Sequence, residues 1–176
     1  MMLTLVGDSI FRRLYRAFPC HFCAVSKDLC VSGAGTQLLK GLVKQADTLT
    51  GTVVLLVGIN DILRHRDVDT LWKLYASLVR TLVRRGCTVY CGLVLPLAHP
   101  RYDSFAPAIK RLNFLIKSIC QSPSVRCVDF HSLFLVPEVG LADQSLYCSA
   151  SARGLDYIHP NSRGLRKMLN VLCTLE

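Results

Sequence analysis

The chain has 176 residues, of which 51% are apolar and 19% charged, and its formal net charge is +9. That balance excludes a disordered polymer, the length suits one domain (1–176) whose core needs no disulfide staples, and no apolar run is long enough to cross a bilayer. The basic excess spreads over helix faces; it leaves contact with nucleic acid open, but no nucleic-acid-binding motif accompanies it.

In chain order, the apolar run from Met2 to Val6 reads as a short buried strand that stops at Gly7-Asp8. Ser9 then stands where an amphipathic helix begins, with Phe11, Leu14, Tyr15 and Phe18 at helical spacing and Arg12, Arg13 and Arg16 opposite. A strand turning sharply into a helix lifts Ser9 onto the rim of a sheet and aims the helix N–H groups at whatever it meets. Ser9 is therefore a candidate nucleophile; the plain alternative is an N-cap serine. Residues 22–27 suit a second strand, and Gly33 and Gly35 mark a turn of close backbone approach. Leu39, Leu42, Val43 and Ala46 line a second helix. Thr52 to Val57 is a β-branched run typical of a strand buried on both faces, and it ends in Gly58-Ile59-Asn60-Asp61.

The spacing of Val68, Leu71, Trp72, Tyr75, Leu78, Val79 and Leu82 predicts the clearest helix, capped by Asp67 and closed by Gly86. Thr88 to Leu95 reads as a fourth strand, stopped by Pro96. A polar loop with His99, Pro100 and Arg101 leads into a helix over about 106–120, and Val125 to Phe130 is a fifth strand. After an irregular stretch, Leu165, Met168, Leu169 and Leu172 line the last helix. Five strands alternating with five helices predict an α/β sandwich with a parallel sheet, whose ligands bind beyond the carboxyl ends of the strands. The nine cysteines are an odd number scattered through these elements and read as reduced thiols. Cys20-His21-Phe22-Cys23 has metal-like spacing but lacks a second pair, so neither metal nor cofactor is expected. The chain shows no basic leader with a cleavage site, which points to an intracellular, cytoplasmic protein.

Ester hydrolysis by a serine needs a base, a group orienting that base, and donors for the oxyanion. In Asp156-Tyr157-Ile158-His159-Pro160-Asn161, a three-residue separation lets Asp156 reach Nδ1 of His159 while Nε2 faces outward. The N–H groups of Ser9 and Gly33 and the Asn60 amide would hold the oxyanion. Asp129 and His131, at the end of the fifth strand, form a rival but disfavoured acid–base pair. Arg64, Arg66, Arg101 and Arg153 all fall near the same edge, which suggests an anionic substrate. Leu135, Val136, Leu141 and Leu146 are available to shape a modest acyl pocket.

Four ordered blocks resemble the SGNH hydrolases, also called GDSL-type esterases and lipases: Gly7-Asp8-Ser9-Ile10, Ser32-Gly33-Ala34-Gly35-Thr36-Gln37, Gly58-Ile59-Asn60-Asp61, and Asp156 through Asn161. The resemblance spans nearly the whole chain. It implies a flavodoxin-like α/β/α fold of three layers, with a five-stranded sheet in the order 2-1-3-4-5. It also implies Ser9 as nucleophile, Asp156 and His159 as the rest of a triad, and Ser9, Gly33 and Asn60 as the oxyanion hole, with Gly35 the alternative to Gly33. Ile10 departs from the family leucine, and Tyr157 stands where a small residue is usual, so it narrows the site or contacts substrate. Within the family the chain is most similar to platelet-activating-factor acetylhydrolase-like subunits and to esterase domains of non-LTR retrotransposon proteins. The expected function is hydrolysis of a short-chain, acetyl-type ester. The alternative is a binding module for RNA or a partner protein, and homodimerisation stays open.

Overall fold

Among the described residues the parallel sheet has four strands, where five are expected. The computed structural model describes residues 2–47, 49–151 and 154–175. In it Thr4–Gly7 (β1), Thr52–Leu56 (β2), Thr88–Gly92 (β3) and Val125–Val128 (β4) make one parallel sheet, with neighbours in that order. Leu5 pairs with Val54, Val54 with Tyr90, and Tyr90 with Arg126. Leu5, Val6 and all of Val53–Leu56 are buried, as a two-sided parallel sheet requires, and each such aliphatic side chain contributes about 1.5–3 kcal/mol on leaving water.

The expected strand at 22–27 is replaced by something more irregular. The chain touches the outer edge of β1 at two parallel bridges, Phe22 to Leu3 and Cys30 to Gly7. Between them Ser26–Leu29 coils into a short helix (α2). Side chains then do what a strand would have done. The Leu5 N–H donates to Ser26 Oγ at 3.0 Å, and the Cys30 thiol donates to the Leu5 carbonyl at 3.4 Å. The five-stranded 2-1-3-4-5 sheet is thus corrected to four strands. β3 is also shorter than its apolar run. It stops at Gly92, and the buried Val94 finds its backbone partners in the Asn113 side chain, at 2.8 and 2.9 Å.

Helices flank the sheet in two groups. Thr36–Gln45 (α3), Val68–Arg84 (α5) and Ala106–Ile119 (α6) pack in sequence against one another. Ser9–Ala17 (α1) packs against Ser162–Leu172 (α8), which also meets the short Phe130–Leu133 (α7). Asp67 caps α5 by accepting from the Thr70 N–H at 2.8 Å, and Asn161 caps α8 by accepting from two backbone N–H groups. Ile59–Leu63 (α4) follows β2, and a two-residue hairpin, Ala150–Ser151 (β5) with Gly154–Leu155 (β6), precedes α8. Ser9, Asn60 and the loop beginning at Leu93 each follow the carboxyl end of a strand, so one edge of the sheet gathers them.

Candidate active site

The turn after β1 is built by Asp8, whose carboxylate accepts from the Ile10 N–H at 2.9 Å and so starts α1 with Ser9 in its first turn. Asp8 is 1% exposed. Burial pushes its carboxyl up to about 7, against the Ile10 N–H that favours the charged form and with the nearby charge of Asp61 adding to the rise. Asn60 Nδ2 donates to Asp8 Oδ2 at 3.2 Å and to the Ala34 carbonyl at 3.1 Å. One amide thereby ties together the turns that follow β1, α2 and β2.

The glycine turn is held from below by Asp61, a residue the sequence reading passed over. This buried carboxylate accepts from both the N–H and the hydroxyl of Thr36, at 2.8 and 2.9 Å. Gly35 lies so close that a Cβ there would stand 2.7 Å from Asp61 Oδ1. Gly33 has a φ of +73°, favoured only by glycine, and its N–H has no hydrogen-bond partner among the described residues. Gly35 is thus wedged against Asp61, whereas a Cβ at Gly33 would meet nothing nearer than the Arg64 guanidinium at 3.7 Å.

The segment before α8 supplies the other half of the site. Ser9 Oγ lies 2.8 Å from His159 Nε2 although 150 positions separate them. His159 Nδ1 lies 2.8 and 3.0 Å from the two oxygens of Asp156. Asp156 is 4% exposed. Burial alone would raise its carboxyl, but the His159 ring and the N–H groups of His159 and Ile158 outweigh that and hold it below the ordinary carboxylate value. Tyr157 between them takes a left-handed φ of +52°, a costly conformation for an aromatic residue. Its N–H donates to the Cys148 carbonyl and its own carbonyl accepts from the Ala98 N–H. The His99 ring lies 5.3 Å away.

The arginines near this edge are already engaged. Arg64 donates to the Gly33 carbonyl at 2.8 Å, Arg66 approaches Asp61 at 3.4 Å, and Arg101 donates to the Leu155 carbonyl at 2.8 Å while lying over and bonding Tyr102. Arg153 lies outside the described residues. Asp129 and His131 do not form a pair: Asp129 caps α7 through Ser132, and the His131 ring meets the Val94 carbonyl at 2.8 Å. Leu135 and Leu141 line a cavity of about 160 Å³ with Tyr102 and Ile109, but neither Ser9 nor His159 lines it, and Leu146 is fully buried in the core. Among the described residues no group of three or more His, Cys, Asp or Glu could hold a metal ion, and no helix is long and apolar enough to cross a membrane.

Residues 5–167 match the model of the GDSL-like lipase/acylhydrolase family. No curated protein matches the chain. Among solved structures, the C-terminal domain of Drosophila Oskar superposes with a TM-score of 0.82 at 21% identity, covering 97% of this chain and 85% of that one. A GDSL-like lipase from Bacteroides thetaiotaomicron gives 0.76 at 18% identity, covering 99% and 86%. A member of the lipolytic G-D-S-L family from Veillonella parvula gives 0.75 at 20% identity, covering 99% and 97%. At these identities the structural likeness speaks for the fold.

Proposed function

The chain belongs to the GDSL-like lipase/acylhydrolase family, and within it we propose a serine esterase that cleaves short-chain, acetyl-type carboxylic esters. The observation that carries the reading is the continuous relay from Ser9 Oγ through His159 to Asp156, with both links at 2.8 Å. With Nδ1 protonated and donating to Asp156, Nε2 is free to accept the Ser9 proton as the hydroxyl attacks the ester carbonyl. The charged Asp156 then stabilises the imidazolium. His159 returns the proton to the departing alcohol, and a water repeats the cycle on the acyl-enzyme.

The N–H groups of Ser9 and Gly33, with the Asn60 amide, are the proposed oxyanion donors. Asn60 donates to Asp8 and Ala34, so the oxyanion recruits it by sharing one of those hydrogens. The cavity at Leu135 and Leu141 is lined by neither Ser9 nor His159, so that cavity is not an acyl pocket at the nucleophile. The chemistry needs no metal or cofactor. The test is hydrolysis of p-nitrophenyl esters of rising acyl length by the parent and by Ser9→Ala. Acetate is expected to be cleaved fastest, with activity lost in the variant. Equal turnover by Ser9→Ala would refute the mechanism, and a preference for long chains would refute the acyl assignment.

A second reading, an RNA- or protein-binding module, draws on the net charge of +9 and on a shallow groove lined by Arg13, Arg16 and Arg166. Salt-dependent RNA binding by a parent protein without esterase activity would favour it.

A further inference from the structure

Ser9 opens α1, and Arg13 stands four residues on, so the two side chains lie one above the other on the same helix face. The Arg13 guanidinium reaches the segment that carries His159 at two points. One nitrogen donates to Cys148 Sγ at 3.4 Å, and the other lies 3.7 Å from Asp156 Oδ2. Those points belong to two runs of backbone joined to each other. The Tyr157 N–H donates to the Cys148 carbonyl at 2.8 Å, and the Cys148 N–H donates to the His159 carbonyl at 2.9 Å. One planar cation thus spans both runs and fastens them to the helix that presents the nucleophile.

We propose that Arg13 is a positioning residue for the Ser9–His159–Asp156 relay, holding the histidine segment on α1. The proposal rests on the esterase reading for its kinetic consequences but not for its structural one. The polar and charged groups around the pair are few. Ser9 and Arg13 come from α1, and Cys148 from the run before β5. From the loop after β3 come Tyr102, whose hydroxyl lies 3.4 Å from the Asp156 carbonyl, and Arg101 on the Leu155 carbonyl. Tyr157 adjoins the pair, with His99 beyond it. Arg13 is the one cation among these contacts that approaches the carboxylate itself. The guanidinium is 39% exposed, and water therefore keeps the ionic part of this contact weak.

The test compares the parent with Arg13→Gln and Arg13→Lys, after thermal melts show that each is folded. Amide hydrogen exchange at Cys148 and Tyr157 is expected to quicken by roughly tenfold in Arg13→Gln, because their hydrogen bonds join the two runs that the guanidinium fastens, and to return close to the parent rate in Arg13→Lys. With p-nitrophenyl acetate, Arg13→Gln should lose roughly tenfold in kcat with KM nearly unchanged, because the loss lies in the alignment of the base. Unchanged exchange at both amides, or a lysine variant no better than glutamine, would overturn the proposal. The exchange measurement needs no substrate. An inactive parent would therefore sink the esterase reading, while the exchange rates still decide for or against Arg13.

Discussion

Asp8 offers the sharpest quantitative test, because it is a fully buried carboxyl whose environment favours the neutral form. Its ordinary value is 3.8, and burial carries it up to about 7. Between those two pH values the folded chain holds a proton that the unfolded chain has released. Stability contributed by this group therefore falls as pH rises, by about 1.4 kcal/mol per pH unit. The penalty is absent below the unfolded value and complete above the folded one. Over a span of about three pH units it amounts to about 4 kcal/mol. Asp8→Asn cannot titrate, so its stability relative to the parent should climb between pH 4 and pH 7 and then level off, whatever constant offset the new amide brings against Asn60. Urea unfolding of both proteins at half-unit intervals reads this directly, since contributions from groups not coupled to Asp8 cancel in the difference. Two stability curves that run parallel across that range would refute the reasoning, and a difference that shrinks with rising pH would reverse its sign.

Other substitutions probe the remaining parts of the site. Gly35→Ala forces a Cβ to within 2.7 Å of the Asp61 carboxylate, and should cost about 1–3 kcal/mol in urea unfolding; unchanged stability would show that the turn can shift freely. Asn60→Ala should lower kcat on p-nitrophenyl acetate by about 10²–10³-fold, and a loss below threefold would remove Asn60 from the oxyanion hole. Asp156→Asn keeps the shape but not the charge that supports the imidazolium, so kcat should fall by about 10⁴-fold, with activity at a tenth of the parent enough to refute the role. Arg64→Gln withdraws a donor from the Gly33 carbonyl and should reduce turnover of neutral and anionic esters alike. A rise in KM confined to the anionic ester would instead make Arg64 a recogniser of substrate charge.

Much of this arrangement was legible because periodicity and turn chemistry act locally. The β-branched run before Gly58 and the Asp67 cap follow from neighbouring residues alone, and they appear where the spacing puts them. The Asp156-to-His159 contact was readable for the same reason, since it closes within four residues. What escaped was carried by side chains standing in for backbone. Nothing in the pattern at 22–27 announces that Ser26 and Cys30 will satisfy Leu5, nor does the run from Thr88 to Leu95 reveal that Asn113 will end the strand early. Asp61 was hidden differently: beside Asn60 it reads as turn chemistry, and its hold on Thr36 is a contact across 25 positions. The rim arginines were placed by sequence, but their bonds to the Gly33 and Leu155 carbonyls depend on the fold.

The two side chains on Leu5 also bear on how copies of this chain can meet. A sheet grows across a molecular boundary only where a run of backbone donors and acceptors is open to the incoming strand. Along β1 that run is interrupted at its centre, since Ser26 takes the Leu5 donor and Cys30 its acceptor, with bridges from Phe22 and Cys30 closing either end. A continuous sheet shared by two copies through this margin would first have to displace both side chains from Leu5.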